Sequence, residues 1–210
     1  MAIIRKQTIA IPEIVPLYSS GLEKTRLFVG LGNPGQQYQN NRHNIGFMCL
    51  NKFCDLHELT WITKKDFQVD LAQTNIAGSR IILIKPQTYM NLSGQAVSKV
   101  LQFYKLSLEE TYIIYDEIRL KLGLIEILKT NKDYGHNGLK SLGQYLSNDL
   151  HLIRTGIGPK QPSNIDLTQF VLSDFTKSQI PIVNKIAQEI SSLIGETSYM
   201  DLVDERRTVL

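Results

Sequence analysis

Polar residues able to do acid–base chemistry stand where the apolar runs of this chain stop. Asn33 and His43 follow the run 26–31, Tyr89, Met90 and Asn91 follow the run 80–85, Asp116 closes the run 111–116, and His136 and Asn137 precede a further helix. One histidine, one aspartate and three asparagines gathered in a crevice would suit hydrolysis by an activated water. His43, as a neutral imidazole, would take the proton, and Asp116 would hold the other ring nitrogen and stabilise the imidazolium. Asn33, Asn91 and Asn137 would position substrate carbonyls and a developing oxyanion. Each residue also has a purely structural reading. Asn33 suits a turn before Pro34, Asn91 or Ser93 a helix N-cap, Asn137 a cap before Gly138, and His136 a satisfied loop histidine.

Convergence requires strands that end at one edge of a sheet, where open α/β folds build their sites. The runs 26–31, 68–74, 80–85, 111–116, 123–128 and 151–157 predict strands. Helical spacing links Ile45, Met48, Cys49, Phe53 and Leu56, then Ala96, Val97, Val100, Leu101 and Tyr104, then Ile180, Val183, Ile186, Ile190 and Leu193. Pro181 falls in the first turn of the last helix, where proline is tolerated. The runs IILI and YIIY are apolar on both faces, so they belong in the middle of a covered sheet. The class is α/β: a single domain with a twisted, mixed, mostly parallel sheet and helices on both faces. Antiparallel pairing is expected where 68–74 and 80–85 meet through a Gly78-Ser79 turn. Residues 1–24, rich in isoleucine but broken by Pro12 and Pro16, read as an N-terminal extension to a domain over 25–210. That extension has neither the continuous apolar core nor the cleavage site of a secretory signal.

Composition narrows the function classes. The chain has 210 residues, 42% hydrophobic and 20% charged, as in ordinary globular proteins. Its longest apolar runs are strand-length, far from the ~20 residues that cross a bilayer. Cys49 and Cys54, five apart on one helix, are too distant for a disulfide and read as buried thiols in a reducing cytosol. Net charge is +3, yet residues 119–160 hold seven basic against three acidic side chains, leaving −1 on the rest. A basic region on a neutral body suits a phosphate-rich partner, or is simply a solvated face. Gly30 to Gly35 spell GxGxxG after a strand, but the polar run 36–44 follows where a dinucleotide-binding helix should start at once. His57-Glu58 does not complete HExxH, and His43, Cys49, Cys54 and His57 lack paired zinc-ligand spacing.

The blocks GLGNPG with RHNIG, KPQTYMNLSG, IIYDEI, GHNGLKS, RTGIGP and FVLSDF run in order through residues 26–195. Together they resemble the bacterial peptidyl-tRNA hydrolases. The resemblance implies His43 as catalytic general base, Asp116 as the acid that keeps it basic, and Asn33 as the residue separating N-blocked from free aminoacyl-tRNA. Asn91 and Asn137 match substrate-binding asparagines, and Tyr38, Tyr89 and Met90 match residues lining the peptide and terminal-nucleotide channel. It further implies hydrolysis of the ester joining peptide to tRNA, recycling tRNA from dropped chains. A cytoplasmic monomer is implied, with no metal, no organic cofactor and no membrane.

Three departures stand out. Tyr134 occupies a usually glycine-rich loop, Arg119 followed by Lys121 replaces a usual acidic lid residue, and Glu126 and Leu128 occupy places that are often basic. Phosphate contact would then shift to Lys129, Lys132, Lys140 and Arg154. A non-catalytic RNA-binding relative of the same fold is the alternative, and the joint presence of His43, Asp116 and three asparagines speaks against it.

Overall fold

The computed structural model describes residues 24–209. Four strands form a parallel centre in the order β4 (Ser79–Pro86), β1 (Lys24–Gly30), β5 (Thr111–Lys121) and β7 (Leu150–Gly158). Each sends alternate side chains into two cores. Phe28, Ile81, Leu83, Tyr112 and Ile114 pack on one face, while Leu27, Val29, Ile82, Ile84, Ile113 and Tyr115 pack on the other. This two-sided burial is the physical reason the runs are continuously apolar.

Antiparallel strands flank the centre: β2 (Ile62–Lys64) and β3 (Val69–Ile76) on one side, β6 (Leu124–Thr130) and β8 (Glu205–Thr208) on the other. The eight-stranded sheet is mixed as expected but not mostly parallel: three parallel pairs lie at the centre and four antiparallel pairs outside them, because β2, β3, β6 and β8 add on as antiparallel neighbours. The β3–β4 hairpin is present. Its turn is Ala77-Gly78, both at positive φ (48° and 80°), one residue earlier than expected and matching the twist of the flanking strands. β1 starts at Lys24, inside the span assigned to the N-terminal extension; the remainder of that extension, 1–23, lies outside the described residues.

Helices α1 (Ile45–Leu56) and α5 (Ile180–Glu196) cover one face, and α2 (Ser93–Tyr104) and α3 (Asn137–Gly143) the other. The short α4 (Leu167–Val171) precedes α5. Cys49 and Cys54 are free and buried on α1, where burial pushes the Cys54 thiol up to about 12. Gly46 sets how closely α1 approaches the sheet. A Cβ there would lie 2.5 Å from the Ile114 carbonyl oxygen and 2.6 Å from that of Leu31. Only glycine lets α1 start directly on the ends of β1 and β5, and the tight turn Arg42–Asn44 comes immediately before it. Among the described residues no helix is long and apolar enough to cross a membrane.

Candidate active site

From β1 the chain crosses to β4 on one side and later to β5 on the other, which opens a crevice at the carboxyl ends of these strands. A cavity of about 620 Å³ lies there. Asn33, Tyr38, His43, Tyr89, Met90, Asn91, Asp116 and Asn137, every residue expected to act in catalysis or substrate binding, line it. Four separate segments supply them: the loop after β1, the loop after β4, strand β5 itself and the start of α3.

Asp116 continues the β5 row of Tyr112 and Ile114, so it faces the side on which α1 and its preceding turn sit. Its Oδ1 lies 2.8 Å from His43 Nδ1 and 3.0 Å from His136 Nε2. His136 is the N-cap of α3, and its Nδ1 accepts from the backbone N–H of Gly138 (3.1 Å) and Leu139 (3.4 Å). That pattern assigns the proton of His136 to Nε2, donated to Asp116. A carboxylate accepting from both rings also assigns a proton to His43 Nδ1, leaving His43 Nε2 as the basic nitrogen. Burial alone would raise the Asp116 carboxyl; the charges of His43 and His136 and their hydrogen bonds hold it instead well below the usual carboxylate range. Burial alone would lower His43, and the charge and hydrogen bond of Asp116 reverse this, leaving its pKa raised.

His43, Asp116 and His136 bring their ligand atoms within 4.8 Å of one another, the one such grouping among the described residues. Its hydrogen bonds do not fit a metal. His136 already uses its lone pair on backbone N–H groups and its proton on Asp116, so it has no donor pair to give. Sequence reasoning located His136 in this loop without recognising that one ring joins the helix cap to the aspartate.

Asn33 is held on three sides. Its N–H donates to Asn44 Oδ1, its carbonyl accepts from Asn44 Nδ2, and its Oδ1 accepts from the Met90 N–H, all at 2.9 Å. With the side-chain oxygen taken, Asn33 presents its NH₂ group to the cavity. Arg42, beside His43, is a second residue that sequence reasoning passed over. It donates to the carbonyls of Ser173 (3.0 Å) and Asp174 (2.8 Å), to Ser173 Oγ (2.6 Å) and to Gln179 Oε1 (3.1 Å), and its guanidinium lies over the Phe170 ring. These bonds tie the turn that carries His43 to the segment after α4, and Leu167, Thr168 and Val171 of α4 line the cavity. The only sequence signal was the arginine of the RHN block, with Ser173 of the FVLSDF block 131 residues further on.

The basic residues divide. Lys132 and Lys140 are exposed, while Lys129 is exposed but bonded to Glu109 at 2.6 Å. Arg154 corrects the expectation that it meets phosphate: it is 7% exposed and its guanidinium bonds Glu117 (2.6 Å) and Glu126. The register explains this, because Arg154 lies opposite Glu126 on β6, and Glu126 opposite Arg206 on β8. Arg206 Nε reaches Glu126 Oε1 at 2.5 Å, completing a cross-strand charge row. The Tyr134 ring, at a left-handed backbone position (φ 50°), stacks on Arg154 at 4.1 Å and lines the cavity.

The model of the peptidyl-tRNA hydrolase family matches residues 27–207. The chain is 39% identical over 165 residues to a peptidyl-tRNA hydrolase of Rickettsia bellii, covering 79% of this chain and 89% of the relative. It is 42% identical over 173 residues to that of Bartonella bacilliformis, covering 80% and 88%. Among solved structures, peptidyl-tRNA hydrolase from Acinetobacter baumannii superposes with a TM-score of 0.73 at 29% identity, over 82% of this chain and 89% of the other. With the family model spanning most of its length and these relatives near 40% identity, the chain belongs to the peptidyl-tRNA hydrolase family.

Proposed function

We propose that this protein hydrolyses the ester between a peptide and the 3′ end of tRNA, releasing the tRNA for reuse, with His43 as the general base. The observation that carries the reading is the 2.8 Å contact of His43 Nδ1 with buried Asp116, at the wall of a cavity also lined by three asparagines. In this mechanism a water attacks the ester carbonyl carbon while His43 Nε2 takes its proton, and the imidazolium that forms is stabilised by Asp116. The amide groups of Asn91 and Asn137 donate to the developing oxyanion. The tetrahedral intermediate collapses by breaking the bond to the ribose oxygen, which leaves with the proton held by His43. The products are a free carboxylic acid and intact tRNA.

Asn33 selects the substrate. Its presented NH₂ is a donor, suited to the carbonyl of a blocked amino group and unsuited to an ammonium. Exposed Tyr89 and Leu167 give the cavity mouth an apolar rim against which peptide side chains of varied sequence would rest. The protein acts as a soluble monomer in the cytoplasm and needs no metal or organic cofactor. Lys132 and Lys140 remain the exposed candidates, with Lys129, for tRNA phosphates.

The direct test is release of an N-acetylated amino acid from tRNA in the presence of EDTA, beside an unblocked aminoacyl-tRNA. The reading expects fast release of the blocked amino acid only, unaffected by EDTA. Binding of tRNA without release would favour the non-catalytic RNA-binding alternative.

A further inference from the structure

A substrate whose leaving group is a polyanion needs a cation close to the cavity, and the arginine expected for that task is engaged. Arg154 is buried between the carboxylates of Glu117 and Glu126, with Arg206 beyond. Two arginines and two glutamates make the row neutral. Freeing Arg154 for a phosphate would strand a buried carboxylate, an arrangement that strongly destabilises a fold.

A second arginine stands next to this row and is differently placed. Arg119 follows Glu117 and Ile118, both of which line the cavity, and it is exposed, as is Lys121 beyond buried Leu120. Its backbone N–H donates to Glu117 Oε1 at 2.9 Å, which fixes where its side chain starts. Its guanidinium lies 5.7 Å from the centre of the Tyr134 ring, the ring that Arg154 also stacks on. Among the described residues Arg119 has no carboxylate within ion-pair distance.

The geometry points to Arg119, resting on Tyr134, as the cation that grips a phosphate of the tRNA acceptor end at the cavity mouth. Arg154 holds Tyr134 from within and gives up its own charge to Glu117 and Glu126. Tyr134 in turn carries Arg119 at the rim. Stacking on a ring leaves the five N–H donors of a guanidinium free for two parallel bonds to phosphate oxygens. The cation offered to phosphate is thus the exposed Arg119 rather than the buried Arg154.

This inference rests on tRNA being the substrate, and the experiment separates the two. Binding of deacylated tRNA to the full chain is measured across a salt series for wild type, Arg119→Gln, Arg119→Lys and Lys65→Gln, the last an exposed lysine in the turn before β3. Arg119→Gln should flatten the log–log salt slope by about 0.7–0.9 and weaken binding about tenfold. Arg119→Lys should keep the slope while losing part of the affinity, because charge survives and the two-pronged geometry does not. Lys65→Gln should change neither. An unchanged slope for Arg119→Gln, or an equal loss for Lys65→Gln, overturns the inference. Wild type that binds tRNA yet releases no peptide would instead overturn the hydrolase reading and leave the slope comparison to judge Arg119.

Discussion

Asp116 and Glu117 are neighbours on β5, each 3% exposed, and they have been given opposite kinds of partner. Asp116 is held by two imidazoles, His43 and His136, while Glu117 is held by the guanidinium of Arg154. Strand geometry separates them: consecutive side chains point to opposite faces, Asp116 toward α1 and Glu117 toward the α2 and α3 face. The chemical difference follows from the partners. An imidazole titrates near neutral pH, so its contact with a carboxylate is a place where a proton can be accepted and returned. A guanidinium does not lose its proton, so the second contact fixes structure and orients Tyr134 without exchanging anything. Equal burial therefore does not mean equal function, and what separates the two carboxylates is whether the partner can change charge.

The largest effect should come from removing the titrating partner. His43→Ala is expected to lower turnover by about 10² to 10⁴ while KM for blocked aminoacyl-tRNA is largely kept. Steady-state kinetics check this, and near-normal turnover would end the general-base assignment. Glu117→Gln probes the other carboxylate. Breaking a buried ion pair from one side costs about 3–5 kcal/mol, and because Glu126 remains beside Arg154 the lower end is expected. Denaturant unfolding should register that loss, while the pH dependence of turnover in the folded variant keeps its wild-type shape. A displaced pH limb would mean that Glu117 is coupled to His43 after all.

The smallest effect concerns selectivity alone. In Asn33→Asp one carboxylate oxygen would still accept from the Met90 N–H, and the other would present an acceptor where the wild type presents a donor. A free α-amino group, with an ordinary pKa of about 7.7–8.0, is substantially protonated near neutral pH. The ratio of kcat/KM for unblocked to blocked aminoacyl-tRNA should therefore rise. An unchanged ratio would remove Asn33 from this role.

The sequence made the Asp116 half of the comparison legible and left the Glu117 half hidden. Central strands could be read because burial on both faces demands unbroken apolar runs, and α1, α2 and α5 because each buries one regular stripe. β2 has three residues, α4 five, and β8 is the polar run Glu205–Thr208, so none carries enough periodic signal. Missing β8 also meant missing Arg206 opposite Glu126. Arg154 looked like a free cation for the same reason: charge along a sequence is countable, whereas the register that sets Glu126 against it is not. Within the site, residue types at the ends of apolar runs announced His43, Asp116 and the asparagines, although β5 itself continues past Asp116 to Lys121. The dual bonding of His136 and the bridge made by Arg42 depend on segments brought together only by folding.

The central claim is that Asp116 sets the basicity of His43, and a pH–rate profile of wild type beside Asp116→Asn tests it most directly. Burial lowers and Asp116 more than restores the His43 pKa, so the net shift is upward from about 6.5. Only the unprotonated ring is a base, so wild-type kcat/KM should fall, on acidification, through a limb above that value. Asp116→Asn keeps the shape of the side chain and removes its charge. Burial then acts unopposed, and the limb should move to lower pH while the plateau rate drops, because the imidazolium formed in the transition state has lost its partner. A limb at the same pH in both proteins, with the same plateau, would contradict the account.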